Sequence, residues 1–373
     1  MRHWIYAASG VLLAMQAQAD MTVKVGQVSP LSGPIAHLGK DNEAGALLAI
    51  EDANAKKLKI AGQIIKFELI SEDDASDPKT ATIVAQKLVD QKVAGVVGHL
   101  NSGTSIPASK IYNEAGIPQI SPSATNPKYT LQGFKTTFRV VANDVQQGGA
   151  MGTFAVDHLK GKKIAIIDDR SAYGQGLADQ VDKKVKALKG QVIAREYGTD
   201  KTTDWMAILT SVKARMPDVV VYGGMDATAG PLLQQMRRLG IKSALIVGDG
   251  ACSPEMIKLS GSGMDQNVYC TVAGLPRDQM PKGAAFFKRF KQRFGMDVQV
   301  YAPYEYDAMT ALISAMVEAN SADPKVYLPT LAKIRLQGVT GMLQFTPEGD
   351  IKNGAVTVNQ FSSNNWKPVS VIK

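Results

Sequence analysis

The stretch Val93-Ala94-Gly95-Val96-Val97-Gly98-His99-Leu100-Asn101-Ser102-Gly103-Thr104-Ser105 decides how this chain folds. Val93 to Val97 carries no polar side chain. It is too short for a helix and the right length for a strand buried on both faces. The loop that follows is small and rich in hydroxyls, and Ser105 to Glu114 then reads as a helix. The pattern recurs downstream, with Ile117 to Ile120 as the apolar run and Ser121-Pro122-Ser123-Ala124-Thr125 as the loop. Two neighbouring strands therefore end in donor-rich loops on one edge of a sheet, the edge where open α/β folds bind ligands. Free N–H groups at a helix start, with hydroxyls beside them, suit a carboxylate or another small anion. Plain helix capping by the same hydroxyls is the competing reading.

Outward from this stretch the chain alternates strand and helix signals across short loops. Thr22 to Val28, Gln63 to Ile70, Lys163 to Asp168, Gln191 to Glu196, Asp218 to Tyr222 and Ala244 to Val247 read as strands. Helices are expected over Lys40 to Lys56, over Pro78 to Gln91 with Asp77 as cap, over Val145 to Lys160 and over Gly176 to Lys189. Trp205, Ile208, Leu209 and Val212, and then Ala229, Leu232, Leu233 and Met236, fall at the spacing of a helix's buried face. Repeated βαβ units force parallel sheets covered by helices, and the strands are too many for one ordinary sheet. Two doubly wound sheets are the expected solution. The β-like runs after Gly338 (Met342 to Phe345, Ala355 to Phe361, Lys367 to Ile372) form a tail able to cross between them. The glycines of Gly148-Gly149-Ala150-Met151-Gly152 lie in a helical stretch and predict close backbone approach.

The N-terminus stands apart from the fold. Arg2 and His3 precede an apolar stretch from Trp4 to Met15, and Ala17-Gln18-Ala19 is an A-x-A site. Residues 1–19 read as a secretory signal peptide cleaved before Asp20. Export makes a disulfide the default for Cys252 and Cys270, with two buried thiols as the alternative. The net charge of +8 is dispersed. The basic run Lys288 to Arg293 interleaves with Phe286, Phe290 and Phe294, as on a surface helix with a buried phenyl stripe, so nucleic acid is not expected as a partner. His37, His99 and His158 have no metal-ligand spacing, and neither a G-x-S-x-G elbow nor a phosphate-binding loop occurs. Glu72-Asp73-Asp74 to Asp77 reads as a solvated loop ahead of a helix cap rather than a calcium loop. The residues point to a binding protein rather than an enzyme, and no cofactor is expected.

Ser29-Pro30-Leu31-Ser32-Gly33-Pro34, the Asp73-to-Pro78 turn, the Gly98-to-Ser105 loop, Ser121-to-Thr125 and Tyr173-Gly174, in that order, resemble type I periplasmic binding proteins. Among these the chain is most similar to the leucine/isoleucine/valine-binding proteins of ABC importers, over residues 20–373. The resemblance implies an α/β fold of two Rossmann-like doubly wound lobes joined by a three-stranded hinge. Lobe 1 would comprise 20–142 plus 273–346, and lobe 2 would comprise 143–272 plus 347–373, with crossings near Val141–Asn143, Val272–Ala273 and Phe345–Pro347. It implies a periplasmic monomer that captures an aliphatic amino acid by cleft closure and delivers it to an inner-membrane permease. A sensor of the same fold, or a binder of an amide, an aromatic amino acid or another small carboxylate, is the alternative.

Site residues carry over one at a time. The Ser102 hydroxyl, with the backbone of Leu100, Ser123 and Thr125, would hold the ligand's α-carboxylate, and Asn101 belongs to the same loop. Thr125 would also touch the ammonium, with Asp249 as its acidic partner from the second lobe and Tyr173 lining the pocket. Leu38 and Met225 stand where relatives carry aromatic side-chain contacts, and Ser76 and Asn101 where relatives carry a disulfide. On the residues alone, Asp249-Gly250 is equally a turn, and Tyr173 equally a core aromatic at a helix start.

Overall fold

The computed structural model describes residues 21–372. The expected signal peptide at residues 1–19 lies outside them. The first sheet is built from β1 (Met21–Ser29), β2 (Lys59–Ile60), β3 (Gln63–Asp73), β4 (Val96–Gly98), β5 (Gln119–Ser121) and β6 (Thr137–Arg139) in the order β2-β3-β1-β4-β5-β6. All pairs are parallel except β2 with β3. Helices α1 (Ala36–Ala55), α2 (Pro78–Asp90) and α3 (Ser102–Ala115) connect these strands. Every residue of β4 and β5 is buried, which explains their unbroken apolar reading.

The chain then passes through Val140 to Asn143 into α4 (Asp144–Thr153) and the second unit. This contains β7 (Lys163–Asp168), α5 (Ala172–Ala187), β8 (Gln191–Tyr197), α6 (Met206–Ala214), β9 (Val219–Gly223), α7 (Asp226–Arg238), β10 (Ala244–Val247), α8 (Pro254–Ser260) and β11 (Val268–Val272). After β11 the chain returns to the first unit as α9 (Gly283–Phe294), α10 (Ala302–Glu318) and α11 (Pro324–Ala332), followed by the small pair β12 (Leu336–Gln337) and β13 (Met342–Leu343). It ends in β14 (Val356–Ser362) and β15 (Asn365–Ile372), antiparallel strands that complete the second sheet in the order β15-β14-β11-β10-β9-β7-β8.

Both sheets reverse direction of growth beside their first strand, between β1 and β4 and between β7 and β9. The crevices beyond those strand ends hold the loops after Ser29, Gly98, Asp168 and Gly223. Gly98 has φ +123°, and a Cβ there would collide with the Val28 carbonyl, so only glycine lets β4 turn this close to β1. In the second unit, Cβ atoms at Gly148 and Gly152 would press on Gln180 and Lys184, so these glycines set the close approach of α4 to α5.

Three differences from the sequence reading have local causes. Helix α3 begins at Ser102 rather than Ser105, and α5 at Ala172 rather than Gly176. The first turn of α3, Ser102 to Ser105, carries no large apolar side chain, and α5 is started by a cap, the Ser171 side chain accepting the Gly174 N–H. Of the run Met342 to Phe345 only Met342–Leu343 pairs regularly, with Phe345 bridging to Ile351. Beyond Phe345–Pro347 the chain still touches the first sheet: the Arg139 N–H donates to Gly349 O and Asp350 holds the Arg139 guanidinium at 2.6 Å.

Candidate ligand-binding site

The hydroxyl-rich loops are wired together from below. Ser105 and Ser121 both donate to the His99 carbonyl, at 3.0 and 2.8 Å, and Ser121 Oγ accepts the Ala124 N–H at 2.9 Å. Ser123 Oγ donates to Leu100 O at 2.8 Å, so that hydroxyl is occupied and only its backbone remains to meet a ligand. Ser102 differs: its Oγ accepts the Asn126 N–H at 3.1 Å, which leaves its own O–H free to donate. Thr125 Oγ1 is buried without a hydrogen-bond partner. Two of the expected contacts therefore keep unused hydrogen-bonding capacity, at the start of α3 where the first N–H groups lack a carbonyl one turn earlier.

His99 itself is buried. Its Nδ1 sits 2.8 Å from Asp74 and its Nε2 sits 3.1 Å from the Tyr112 hydroxyl. This corrects the solvated-loop reading of the acidic run. Asp74 is fully buried on His99, Asp73 accepts the N–H groups of Leu31 and Ala75, and Asp77 caps α2 through Thr80. Ser76 and Asn101 do lie together, joined by a 3.1 Å hydrogen bond.

The second unit supplies the acid. Asp249 sits in the short turn after β10, buried, where Oδ1 accepts from Gln147 Nε2 and from the Tyr173 hydroxyl, each at 2.8 Å. Its Oδ2 accepts at 2.8 Å from the hydroxyl of Tyr301, which belongs to the other unit. Burial pushes the Asp249 carboxyl above the usual carboxylate range, and the three donors pull it part of the way back. Tyr301 precedes α10 and is held by Asp41 of α1, whose carboxylate accepts the N–H groups of Gln299, Val300, Tyr301 and Ala302. No motif marks Tyr301. The available signal was an aromatic residue directly before an Ala-Pro helix start.

Leu38 and Leu100 pack with Ile35, Val300 and Tyr301 in one apolar cluster, which Met225 and Ala227 join from the second unit. Asn101 Nδ2 approaches Met225 Sδ at 4.0 Å. Next to Leu38 and Met225, His37 Nε2 meets Asp226 Oδ2 at 2.7 Å, a second contact between the units that sequence reading missed. A third runs from Asn126 Nδ2 to Ala172 O at 2.6 Å. Cys252 and Cys270 are bonded, tying the Asp249 turn to the neighbouring strand. All the expected contacts thus converge where the two switch points face each other. The arrangement can satisfy a carboxylate with hydroxyls and helix-terminal N–H groups on one side, an ammonium with a carboxylate on the other, and an apolar side chain between them. Among the described residues no group of three or more His, Cys, Asp or Glu is placed to hold a metal. A surface groove of about 700 Å³ lies outside this cluster, between α5 and β8.

Comparison with known proteins gives consistent findings. The family profile described as periplasmic binding protein matches residues 22–365. Leu/Ile/Val-binding protein homolog 1 of Brucella abortus is 38% identical over 351 residues, 92% of each chain. The leucine-, isoleucine-, valine-, threonine- and alanine-binding protein of Pseudomonas aeruginosa is 32% identical, covering 96% of this chain and 95% of its own. The crystal structure of a leucine-binding protein from Thermotoga maritima superposes with a TM-score of 0.87 at 27% identity, covering 94% of this chain and 98% of its own.

Proposed function

Because the chain belongs to the periplasmic binding proteins, in the branch of the leucine/isoleucine/valine-binding proteins, we propose that it captures an aliphatic α-amino acid between its two halves and delivers it to an ABC permease. The first half comprises the first sheet with α9 to α11. The second comprises the second sheet, with the last crossing after Asp350. The observation that carries this reading is the opposition of charges. Free hydroxyls and the α3 N-terminus face the cleft from one half, and the buried Asp249 carboxylate faces it from the other.

The ligand's carboxylate docks on Ser102 and on the backbone of Leu100, Ser123 and Thr125. Its ammonium reaches Thr125 and Asp249, and Tyr173 closes the pocket wall. Leu38, Leu100 and Met225 receive the side chain, a soft aliphatic surface that suits leucine, isoleucine or valine. A micromolar dissociation constant corresponds to about −8 kcal/mol. Hydrogen bonds to charged groups contribute about 1.5–3 kcal/mol each and a buried aliphatic side chain about 1.5–3, so the site reaches that scale after ordering costs. The relatives named above bear the names of leucine-, isoleucine- and valine-binding proteins, which supports the choice of ligand and a periplasmic location.

Calorimetric titration with leucine, isoleucine, valine, alanine, phenylalanine and leucinamide tests the proposal. Branched aliphatic amino acids should bind most tightly and leucinamide, which lacks the carboxylate, not measurably. Asp249→Asn should weaken leucine by about 10- to 100-fold. Leucinamide binding as tightly as leucine, or an unchanged affinity in the variant, overturns it.

A further inference from the structure

The ligand loops follow the strand ends of the second sheet, so the loops that enter its parallel strands lie at the opposite end of that half, away from the cleft. That far end is basic. Lys160 and Lys162 lead into β7, Lys189 into β8, Lys213 into β9, and Arg238 and Lys242 into β10, and all six are exposed. Among the described residues none of the six forms an ion pair, whereas their neighbours Lys186, Arg215 and Arg237 are paired with Asp182, Glu196 and Asp265. The other acids there are Asp157 and Asp218, and Asp218 Oδ2 already accepts the N–H groups of Lys162 and Lys163, at 2.8 and 2.9 Å.

Helix dipoles do not dictate this excess. Lys213 and Arg238 do answer the negative ends of α6 and α7. In the first half, however, the same positions at the ends of α2 and α3 are held by Asp90 and Glu114. The far end of that half is mixed in sign, with Glu318 closing α10 and Lys56 following α1. The basic end of the second half also presents an apolar side chain: Met216, between Lys213 and β9, is 69% exposed.

We propose that this end of the second half is a docking surface for an anionic phospholipid membrane. Six unpaired cations on four loops form a broad surface rather than a pocket for one small anion. All but Arg238 are lysines, mobile point charges that suit a diffuse layer of phosphates better than the fixed geometry of a carboxylate partner. Basic residues are drawn to such a layer within about a Debye length, and an apolar side chain among them enters the headgroup boundary. Held by this end, the protein keeps its cleft clear of the membrane and stays close to any partner embedded in it.

The test is sedimentation of the whole mature protein with vesicles of phosphatidylcholine alone, or with about one-third phosphatidylglycerol. The protein should sediment only with the anionic vesicles, and raising NaCl from about 0.05 to about 0.5 M should weaken binding at least about tenfold. The variant Lys160→Gln, Lys162→Gln, Lys213→Gln, Lys242→Gln should bind at least about 50-fold more weakly, and Met216→Gln about threefold. A control with the same net charge, Lys56→Gln, Lys57→Gln, Lys59→Gln, Lys92→Gln, should match the unmodified protein within about twofold, with melting curves confirming that each variant is folded. Unmodified protein that ignores the anionic vesicles at low salt overturns the inference whatever the variants do. An equal loss in the control also overturns it, because net charge alone then drives binding. So does retention by duplex DNA without binding to vesicles, which would assign the surface to nucleic acid.

Discussion

Three neutral donors offset part of the burial of the Asp249 carboxyl, and the Tyr301 hydroxyl is the one that arrives from the opposite half. Tyr301→Phe keeps the ring in its apolar cluster and removes only the donor. Leucine affinity should fall about tenfold by calorimetry, the scale of one hydrogen bond to a charged group, while the melting temperature without added amino acid changes little. The loss should grow on acidification, because Asp249 with one donor fewer holds a proton more readily. At this scale the sequence was partly legible. Ser102, Thr125, Tyr173 and Asp249 all follow strand ends, and the rule that ligands meet strand ends in open α/β sheets brings such residues together. Tyr301 follows no strand end, and Asp226 of the His37–Asp226 pair follows β9 with no other mark. Each lies at or beside a helix start with no apolar periodicity of its own, and what singles it out is a partner far along the chain.

Between residue and molecule, the turn after β10 shows how an element holds a site. It carries Asp249, and three residues later Cys252 is bonded to Cys270 inside β11, with Cα atoms 5.3 Å apart. The bond closes a loop with a sequence separation of 18, for which chain entropy gives about 3 kcal/mol of stability. The double variant Cys252→Ser, Cys270→Ser should lose about that much in urea unfolding, and bind leucine more weakly in proportion to the loosening of the turn. Here the sequence was more informative, since an exported chain with two cysteines, one just after a strand and one inside the next, predicts the bond. Helix starts were less so. The first turn of α3 is made of small polar residues and that of α5 follows a serine cap, neither of which a hydrophobic pattern registers, and the structure starts the two helices three and four residues earlier than periodicity alone.

At the scale of the molecule, alternation of strands and helices fixed two doubly wound units, and what it left open is how they meet. They meet at named contacts: Tyr301 with Asp249, Asn126 with Ala172, and His37 of α1 with Asp226 of α7. The last is a charge pair at the rim, with the His37 side chain 24% exposed and Asp226 buried. Burial works against protonation of His37, but the hydrogen bond and the charge of Asp226 outweigh it, and the imidazole binds its proton more tightly than usual. A raised histidine contributes its stabilisation fully below its ordinary value and loses it as pH rises through the raised one. The pair exists only when the halves are together, so it favours the closed form and, through closure, ligand affinity. A partly exposed pair is worth about 0.2–1 kcal/mol, and His37→Gln should weaken leucine by up to about fivefold at pH 6.5 and hardly at all at pH 9. Acidification therefore acts on the two ends of the cleft in opposite senses. It strengthens the His37–Asp226 rim and, through the raised carboxyl of Asp249, weakens the grip on the ammonium. In His37→Gln only the second effect remains, so its affinity should decline more steeply from pH 9 to pH 6 than that of the unmodified protein. Parallel pH profiles for the two would show that the rim pair takes no part in closure.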